Sequence, residues 1–257
     1  MRVFVTRPAR EAQRWVHELE RHGVTALALP LIEIGPAPDE AAVRQAWRRL
    51  DRFGAVMFVS GNAVDRFFAA RPPSVACWPA VATRAWAPGP GTRDALLQAG
   101  VPREAIDHPS QQADQFDSEA LWAQVAGQLG AGQRALVVRG RDATGDGSGR
   151  DWLAMQLVGH GVAVDSVVAY SRRPPPWTPA EIELARQGAQ NGSVWLFSSS
   201  EAIANLQSQL PAQDWTQARA VATHPRIAQA ATAAGFGVVC LSRPALADVV
   251  ASIESSR

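Results

Sequence analysis

Lysine is absent from this chain, and all 25 of its basic residues are arginine. That excludes Schiff-base chemistry on a lysine amine, a pyridoxal phosphate anchor and the lysine of the usual phosphate loop. The glycine-rich turn Gly89-Pro90-Gly91-Thr92 is therefore not a phosphate loop, and no strand is followed by a complete G-x-G-x-x-G fingerprint. Cysteine is scarce: Cys77 and Cys240 lie far apart without metal-type spacing and read as free thiols in a reducing compartment. The five histidines, His17, His22, His108, His160 and His224, show no ligand spacing either. No metal and no organic cofactor is expected. No apolar run approaches the roughly 20 residues of a membrane helix. The N-terminus reads as a short strand halted at Pro8, not as a signal peptide. A soluble, cytoplasmic protein is expected. With a formal net charge of +1, nothing pulls the whole chain toward nucleic acid or a membrane.

What is present is an ordinary folding composition, 47% apolar over 257 residues, long enough for two domains. Strand and helix patterns alternate, the mark of an α/β protein with parallel sheets. Apolar strands are expected near 3–6, 24–29, 55–59, 80–83, 105–108, 135–138 and 194–197. Helices are expected at 39–50, 92–98 and 118–128. The first helix buries Ala12, Trp15, Val16 and Leu19 at helical spacing and closes on Gly23. Two proline-rich stretches interrupt the alternation. One runs from Pro30 to Pro38. The other follows a β-branched strand that is expected to end at Tyr170, the single tyrosine, and runs through Arg172 and Arg173 into Pro174-Pro175-Pro176. Proline donates no backbone hydrogen bond, so both read as stiff extended connectors.

The chain also repeats itself. His22-Gly23-Val24 recurs as His160-Gly161-Val162, at 161 − 23 = 138. Phe58-Val59-Ser60 recurs as Phe197-Ser198-Ser199, at 199 − 60 = 139. Ala80 to Thr83 recurs letter for letter as Ala220 to Thr223, at 140. Pro90 and Gly100 then match Pro225 and Gly235 at 135, which marks Arg84 to Pro88 as a five-residue insertion in the first copy. Both connectors occupy equivalent places, Ile32 pairing with Tyr170 at 138. If each copy crosses over at its connector, one lobe holds 1–34 with 174–257 and the other holds 38–168. The connectors then span 30–38 and 168–176. The expected architecture is two flavodoxin-like lobes of five parallel strands, joined by a two-stranded linker.

Ligands of such sheets bind at the carboxyl ends of the strands, and the segments leaving those ends are small, polar and arginine-bearing. They are Thr6-Arg7, Ser60-Gly61-Asn62, Arg139-Gly140-Arg141, Ser198-Ser199-Ser200 and Thr223-His224-Pro225-Arg226. The Gly-rich stretch from Gly145 to Arg150 follows the third of these. Serine, threonine and asparagine there serve first as helix N-caps. The same helix starts present free N–H groups to carboxylates, and Ser60, Ser199 and His224 suit both roles. Arginine adds bidentate carboxylate sites. The candidate binding residues are thus Arg7, Ser60, Asn62, Arg139, Arg141, Ser198, Ser199, Ser200, Thr223, His224 and Arg226.

Together these segments resemble a known family. VFVTRPAREAQ at 3–13, PLIEI at 30–34, FVSGNAVDRF at 58–67 and LVVRG at 136–140 carry the first half of the likeness. GRDWLAMQLVGHG at 149–161, VVAYSRRP at 167–174, FSSSEAI at 197–203 and AVATHPRIAQAATAAGF at 220–236 carry the rest. In this order they resemble uroporphyrinogen-III synthase over almost the whole chain. The resemblance implies the two-lobe fold and a cyclising dehydration of hydroxymethylbilane, a linear tetrapyrrole polycarboxylate, with inversion of ring D. It implies no cofactor, a monomer, and a possible transient hand-over of substrate from hydroxymethylbilane synthase. It also makes Tyr170 the candidate group for assisting the departing hydroxyl. From the residues alone, Tyr170 reads first as a strand-end aromatic packed at the lobe junction. The rival reading is a non-enzymatic two-lobe binding protein for small polycarboxylates; a two-lobe sugar-nucleotide transferase would be longer.

Overall fold

The computed structural model describes residues 2–75, 77–78, 83–110, 116–141 and 152–255. In chain order the first elements are β1 (Val3–Val5), α1 (Ala9–Arg21), β2 (Ala26–Ala28), β3 (Glu33–Gly35), α2 (Glu40–Arg48), β4 (Ala55–Phe58) and α3 (Gly61–Ala69). They are followed by β5 (Arg84–Trp86), α4 (Pro90–Gln98), β6 (Ile106–Asp107), α5 (Ser118–Val125), β7 (Arg134–Arg141), α6 (Trp152–Gly159) and β8 (Ala163–Arg173). The last are α7 (Pro179–Gln190), β9 (Val194–Phe197), α8 (Ser200–Gln209), β10 (Arg219–Ala222), α9 (Pro225–Ala233), β11 (Val238–Leu241) and α10 (Leu246–Ser255). The chain divides into two compact units, Met1–Glu33 with Arg173–Arg257, and Ile34–Arg172.

The first unit is built on a five-stranded sheet in the order β11-β10-β9-β1-β2, parallel in each of its ladders. Successive residues of a strand face opposite sides, and here both sides are covered. Val3, Val5, Val194 and Leu196 pack with Leu19, Val249 and Ile253 in one fully buried cluster. On β1 and β9 the alternate residues are aromatic: Phe4 meets Trp195 at 4.8 Å between ring centroids, and Trp195 meets Trp215 edge-on at 5.2 Å. Burial on both faces explains why β1 and β9 read as unbroken apolar runs.

The second unit carries a sheet in the order β3-β8-β7-β4-β5-β6. Its five main strands are parallel. β3 adds a sixth at the edge, within the Pro30–Pro38 stretch that reads as connector only. Ser171 donates its N–H to the Pro36 carbonyl at 3.1 Å, and Arg173 holds Glu33 through two bonds of 2.9 and 2.8 Å. Partner numbers therefore fall as chain numbers rise, and this pair is antiparallel. β8 likewise does not end at Tyr170: it continues to Arg173, because β3 supplies a pairing partner on its open side. The stiff connector begins only at Pro174.

The strand expected at 80–83 falls mostly on residues that are not described. Residues 80–82 and the Gly-rich stretch 145–150 lie outside the described residues. Thr83 is not in a strand; it is buried, and its hydroxyl donates to the Phe53 carbonyl at 2.8 Å. The strand is Arg84–Trp86, paired with Ala55, Val56 and Met57. Trp86 is fully buried and its indole N–H reaches Gln128 Oε1 at 3.1 Å. Arg84 anchors the strand start by donating from Nε to Asp107 at 2.8 Å. Arg84 to Pro88 is therefore no insertion. The five extra residues precede β5: from Ala69 to Arg84 the separation is 84 − 69 = 15, and from Gln209 to Arg219 it is 219 − 209 = 10. The helix expected at 118–128 also stops early, at Val125. Among the described residues no helix is long and apolar enough to cross a membrane.

Candidate active site

In the second unit, the carboxyl ends of β4, β7 and β8 gather Ser60, Asn62, Arg139, Arg141 and Tyr170. Ser60 is extended at φ −165° and caps α3, its Oγ accepting the Ala63 N–H at 3.2 Å. The helix it starts is fixed by Val64 and Phe67, both fully buried, and by the Trp47 indole donating to the Phe67 carbonyl at 2.7 Å. Ser60 Oγ also lies 3.0 Å from the Tyr170 hydroxyl. Tyr170 is only 2% exposed, whereas Ser60 is half-buried. The phenol is thus held inside the unit with its oxygen against a serine that reaches the surface. Asn62 is half-buried in the first turn of α3, Arg139 half-buried and Arg141 exposed.

The backbone explains how a bulky ring enters this position. β7 and β8 keep register from Arg134↔Ala163 to Arg139↔Val168, and then Gly140 pairs with Tyr170. Ala169 is the extra residue of a bulge, which turns the following side chain. Opposite it stands Gly140. A Cβ there would lie 2.5 Å from Cε2 and 2.8 Å from the hydroxyl oxygen of Tyr170, far inside contact distance. A glycine within a strand signals such a close approach. In the sequence that signal is easily missed, because Gly140 reads there as a spacer between two arginines.

In the first unit, the neighbouring ends of β1, β9 and β10 gather Arg7, Ser198, Ser199, Ser200, Thr223, His224 and Arg226. Ser199 caps α8, accepting the Glu201 N–H at 3.2 Å, and Ser200 opens the helix. His224 caps α9 with its ring: Nδ1 accepts the Arg226 N–H at 3.1 Å, which places a neutral ring's proton on Nε2. Thr223 is buried, Ser198 half-buried and Arg226 exposed. Arg7 is half-buried, 3.4 Å from Glu11 and 4.6 Å above the Trp15 ring. Burial pushes its guanidinium pKa down and Glu11 opposes the shift, but arginine starts so high that it stays a cation. Its buried Nε has no hydrogen-bond partner among the described residues. Among the described residues no three His, Cys, Asp or Glu side chains cluster as a metal site.

A family model described as uroporphyrinogen-III synthase HemD matches residues 13–251. The chain belongs to the uroporphyrinogen-III synthase family. A uroporphyrinogen-III synthase of Synechococcus elongatus is 26% identical over 204 residues, covering 79% of this chain and 72% of that relative. Among solved structures, a mutant uroporphyrinogen III synthase from Thermus thermophilus superposes with a TM-score of 0.57 at 18% identity, covering 100% of this chain and 98% of that one. The enzyme from Helicobacter pylori 26695 gives 0.56 at 17% identity, with 100% of both chains covered. These likenesses show the two-lobe α/β fold. Enzymes of the family are lyases that cyclise hydroxymethylbilane in heme biosynthesis, and this chain is one of them. The reading as a non-enzymatic binding protein is not favoured.

Proposed function

We propose that the carboxyl edges of the two sheets bind the carboxylates of hydroxymethylbilane and that Tyr170 supplies the proton on which its hydroxyl departs. The observation that carries this reading is the 3.0 Å pairing of Tyr170 with Ser60 in a setting that keeps the phenol from solvent. A phenol carries an O–H that it can donate. The hydroxymethyl C–O bond breaks with its electron pair on oxygen, and that oxygen takes the proton and leaves as water. Pyrrole electrons stabilise the cation left behind. Ring D attacks through its substituted carbon, and the spiro intermediate fragments and recloses with the ring inverted. The proton that ring D loses on closure balances the one consumed.

The remaining residues hold the folded tetrapyrrole. Arg7, Arg139, Arg141 and Arg226 are the carboxylate-binding cations. The helix starts at Ser60 to Asn62, Ser198 to Ser200 and Thr223-His224 add N–H groups and partial positive charge. Holding one geometry is the larger share of the work, since a hydroxymethylpyrrole ionises readily. In this reading residues 1–34 with 174–257 act as one lobe and 38–168 as the other. The enzyme is a cytoplasmic monomer that takes its substrate by transient hand-over from hydroxymethylbilane synthase. The test couples the chain to hydroxymethylbilane formation and separates the oxidised porphyrin isomers by chromatography. Mostly inverted isomer is expected; only the uninverted product of spontaneous closure would contradict the proposal.

A further inference from the structure

The phenol proposed as proton source is almost wholly enclosed, and its hydroxyl meets Ser60 Oγ at 3.0 Å. Of the two oxygens, Ser60 Oγ belongs to the residue that reaches the surface. We propose that Ser60 carries the proton: its hydroxyl meets the departing oxygen, and Tyr170 replaces the proton from behind. This inference rests on the reading of Tyr170 given above.

The hydrogen-bond inventory sets the direction. A serine hydroxyl has one proton and two lone pairs, and a phenol has one proton. Ser60 Oγ accepts the Ala63 N–H at 3.2 Å. A single proton lies between Oγ and Oη, and the phenol, as the stronger acid, is the natural donor. With both lone pairs of Oγ then occupied, the serine proton points to the only side left, away from its two partners. When the C–O bond of the hydroxymethyl group breaks, its electron pair goes to oxygen and Ser60 gives that oxygen its proton, forming water. Tyr170 in the same movement gives its proton to Ser60 Oγ, and the negative charge ends on the phenolate. The proton that ring D sheds on closure returns along the same two oxygens. The positive end of α3, beginning at Gly61, lies beside the pair and favours the charge-separated arrangement.

Ser60 is also a helix cap, so the test must separate capping from proton transfer. Glycine is tolerated at a cap position nearly as well as serine, while Ser60→Gly removes the hydroxyl; Ser60→Thr keeps both. The full-length chain is assayed with enzymatically generated hydroxymethylbilane, and kcat and KM are compared for Ser60→Gly, Ser60→Thr, Tyr170→Phe and the Ser60→Gly/Tyr170→Phe pair. The expected result is a fall in kcat of about tenfold or more for Ser60→Gly with little change in KM, recovered by Ser60→Thr. The paired variant should be no slower than either single one, because the two hydroxyls act as a unit. A slow Tyr170→Phe beside a full-speed Ser60→Gly, or losses that multiply in the paired variant, would overturn the role of Ser60 alone. A full-speed Tyr170→Phe would overturn the reading of the site beneath it, and this inference with it.

Discussion

The two units are the same construction finished differently. Their five parallel strands share one order, β2-β1-β9-β10-β11 against β8-β7-β4-β5-β6, and β3 adds an edge strand to the second sheet alone. The ladders also share their registers. Val3 pairs with Ala26 and Val194 in the first unit, and Ala135 pairs with Val164 and Ala55 in the second. Equivalent residues thus differ by 135 − 3 = 132 on the first strand, 164 − 26 = 138 on the second and 194 − 55 = 139 on the third. On this map Ser60 corresponds to Ser199 (199 − 139 = 60), and both cap a helix. Tyr170 corresponds to Ile32 (170 − 138 = 32), which is buried and apolar. Gly140 corresponds to Pro8 (140 − 132 = 8), which has no N–H to extend a ladder. In the first unit the paired residues end at Val5 and Ala28, with the Leu29 and Leu31 N–H groups still reaching the Val5 and Thr6 carbonyls, whereas the second unit's pairing runs on through a bulge to Arg141 and Ser171. Capping is therefore the role the serine shares in both units. The phenol, the bulge and the notch at Gly140 belong to one unit only, which is why the proposed chemistry is placed there.

The comparison can be broken most severely at the notch. Gly140→Val must displace the Tyr170 ring, and forcing atoms into a packed site costs about 1–3 kcal/mol. We expect a lower Tm and loss of most turnover, while Pro8→Ala at the equivalent place should leave both nearly unchanged. A Gly140→Val enzyme with parent-like melting and turnover would show that the ring is not seated there. Next in size are the carboxylate contacts. Arg139→Ala in one unit and Arg226→Ala in the other should each raise KM by about fivefold to tenfold, more than they lower kcat, and affinity should weaken with added salt. If only one of the two shifts KM, carboxylate binding belongs to one edge and not to both.

A stability change confined to the first unit comes third. Thr178 and Glu181 form a reciprocal capping box at the start of α7, with Thr178 N–H to Glu181 Oε2 at 2.7 Å. Thr178→Ala should cost about 1 kcal/mol and leave kcat and KM as they are, which thermal melts and kinetics would check together. The smallest effect is expected at Glu33, whose carboxyl pKa is held below the usual range chiefly by its hydrogen bonds from Arg173. A depressed folded pKa contributes stability above the unfolded value, about 4.3 for a glutamate, and that contribution is lost as pH falls through the folded one. The pair is solvent-exposed, so Glu33→Gln should change Tm only slightly near neutrality and not at all in strong acid. A large Tm loss at neutral pH would mean that the β3–β8 pairing depends on this ion pair.

Much of the fold is legible in the sequence because local chemistry and tertiary structure agree. Gly23 and Gly161 sit at φ 73° and 77° just past α1 and α6, and Val24 and Val162 each donate back to Leu19 and Leu157 at 3.0 Å. These are the residues in which the repeat is first visible. The repeat misleads where letters and registers part. Ala80 to Thr83 matches Ala220 to Thr223 in spelling, but pairing with β4, the burial of Trp86 and the Arg84–Asp107 contact select Arg84–Trp86. That choice depends on partners distant in sequence, which no window of residues contains. The continuation of β8 past Tyr170 is hidden for the same reason, since the partner β3 lies more than a hundred residues upstream. Of the site, the helix caps Ser60, Ser199 and His224 are readable from residue type and position. The bond from Ser60 to Tyr170 spans 110 residues and becomes visible only when β4, β7 and β8 lie side by side.

The central claim, that the hydroxyl of Tyr170 and not merely its ring serves the reaction, is tested most directly by Tyr170→Phe assayed for turnover and product isomers beside its Tm. The substitution keeps the ring in its notch and removes one oxygen. General acid assistance is typically worth about 10²–10⁴ in rate, and less is expected for a leaving group that departs readily. A clear fall in kcat, a larger share of the uninverted isomer from spontaneous closure, and a Tm close to that of the parent are expected. Parent-like turnover with an unchanged isomer ratio would contradict it and leave Tyr170 as a packing residue.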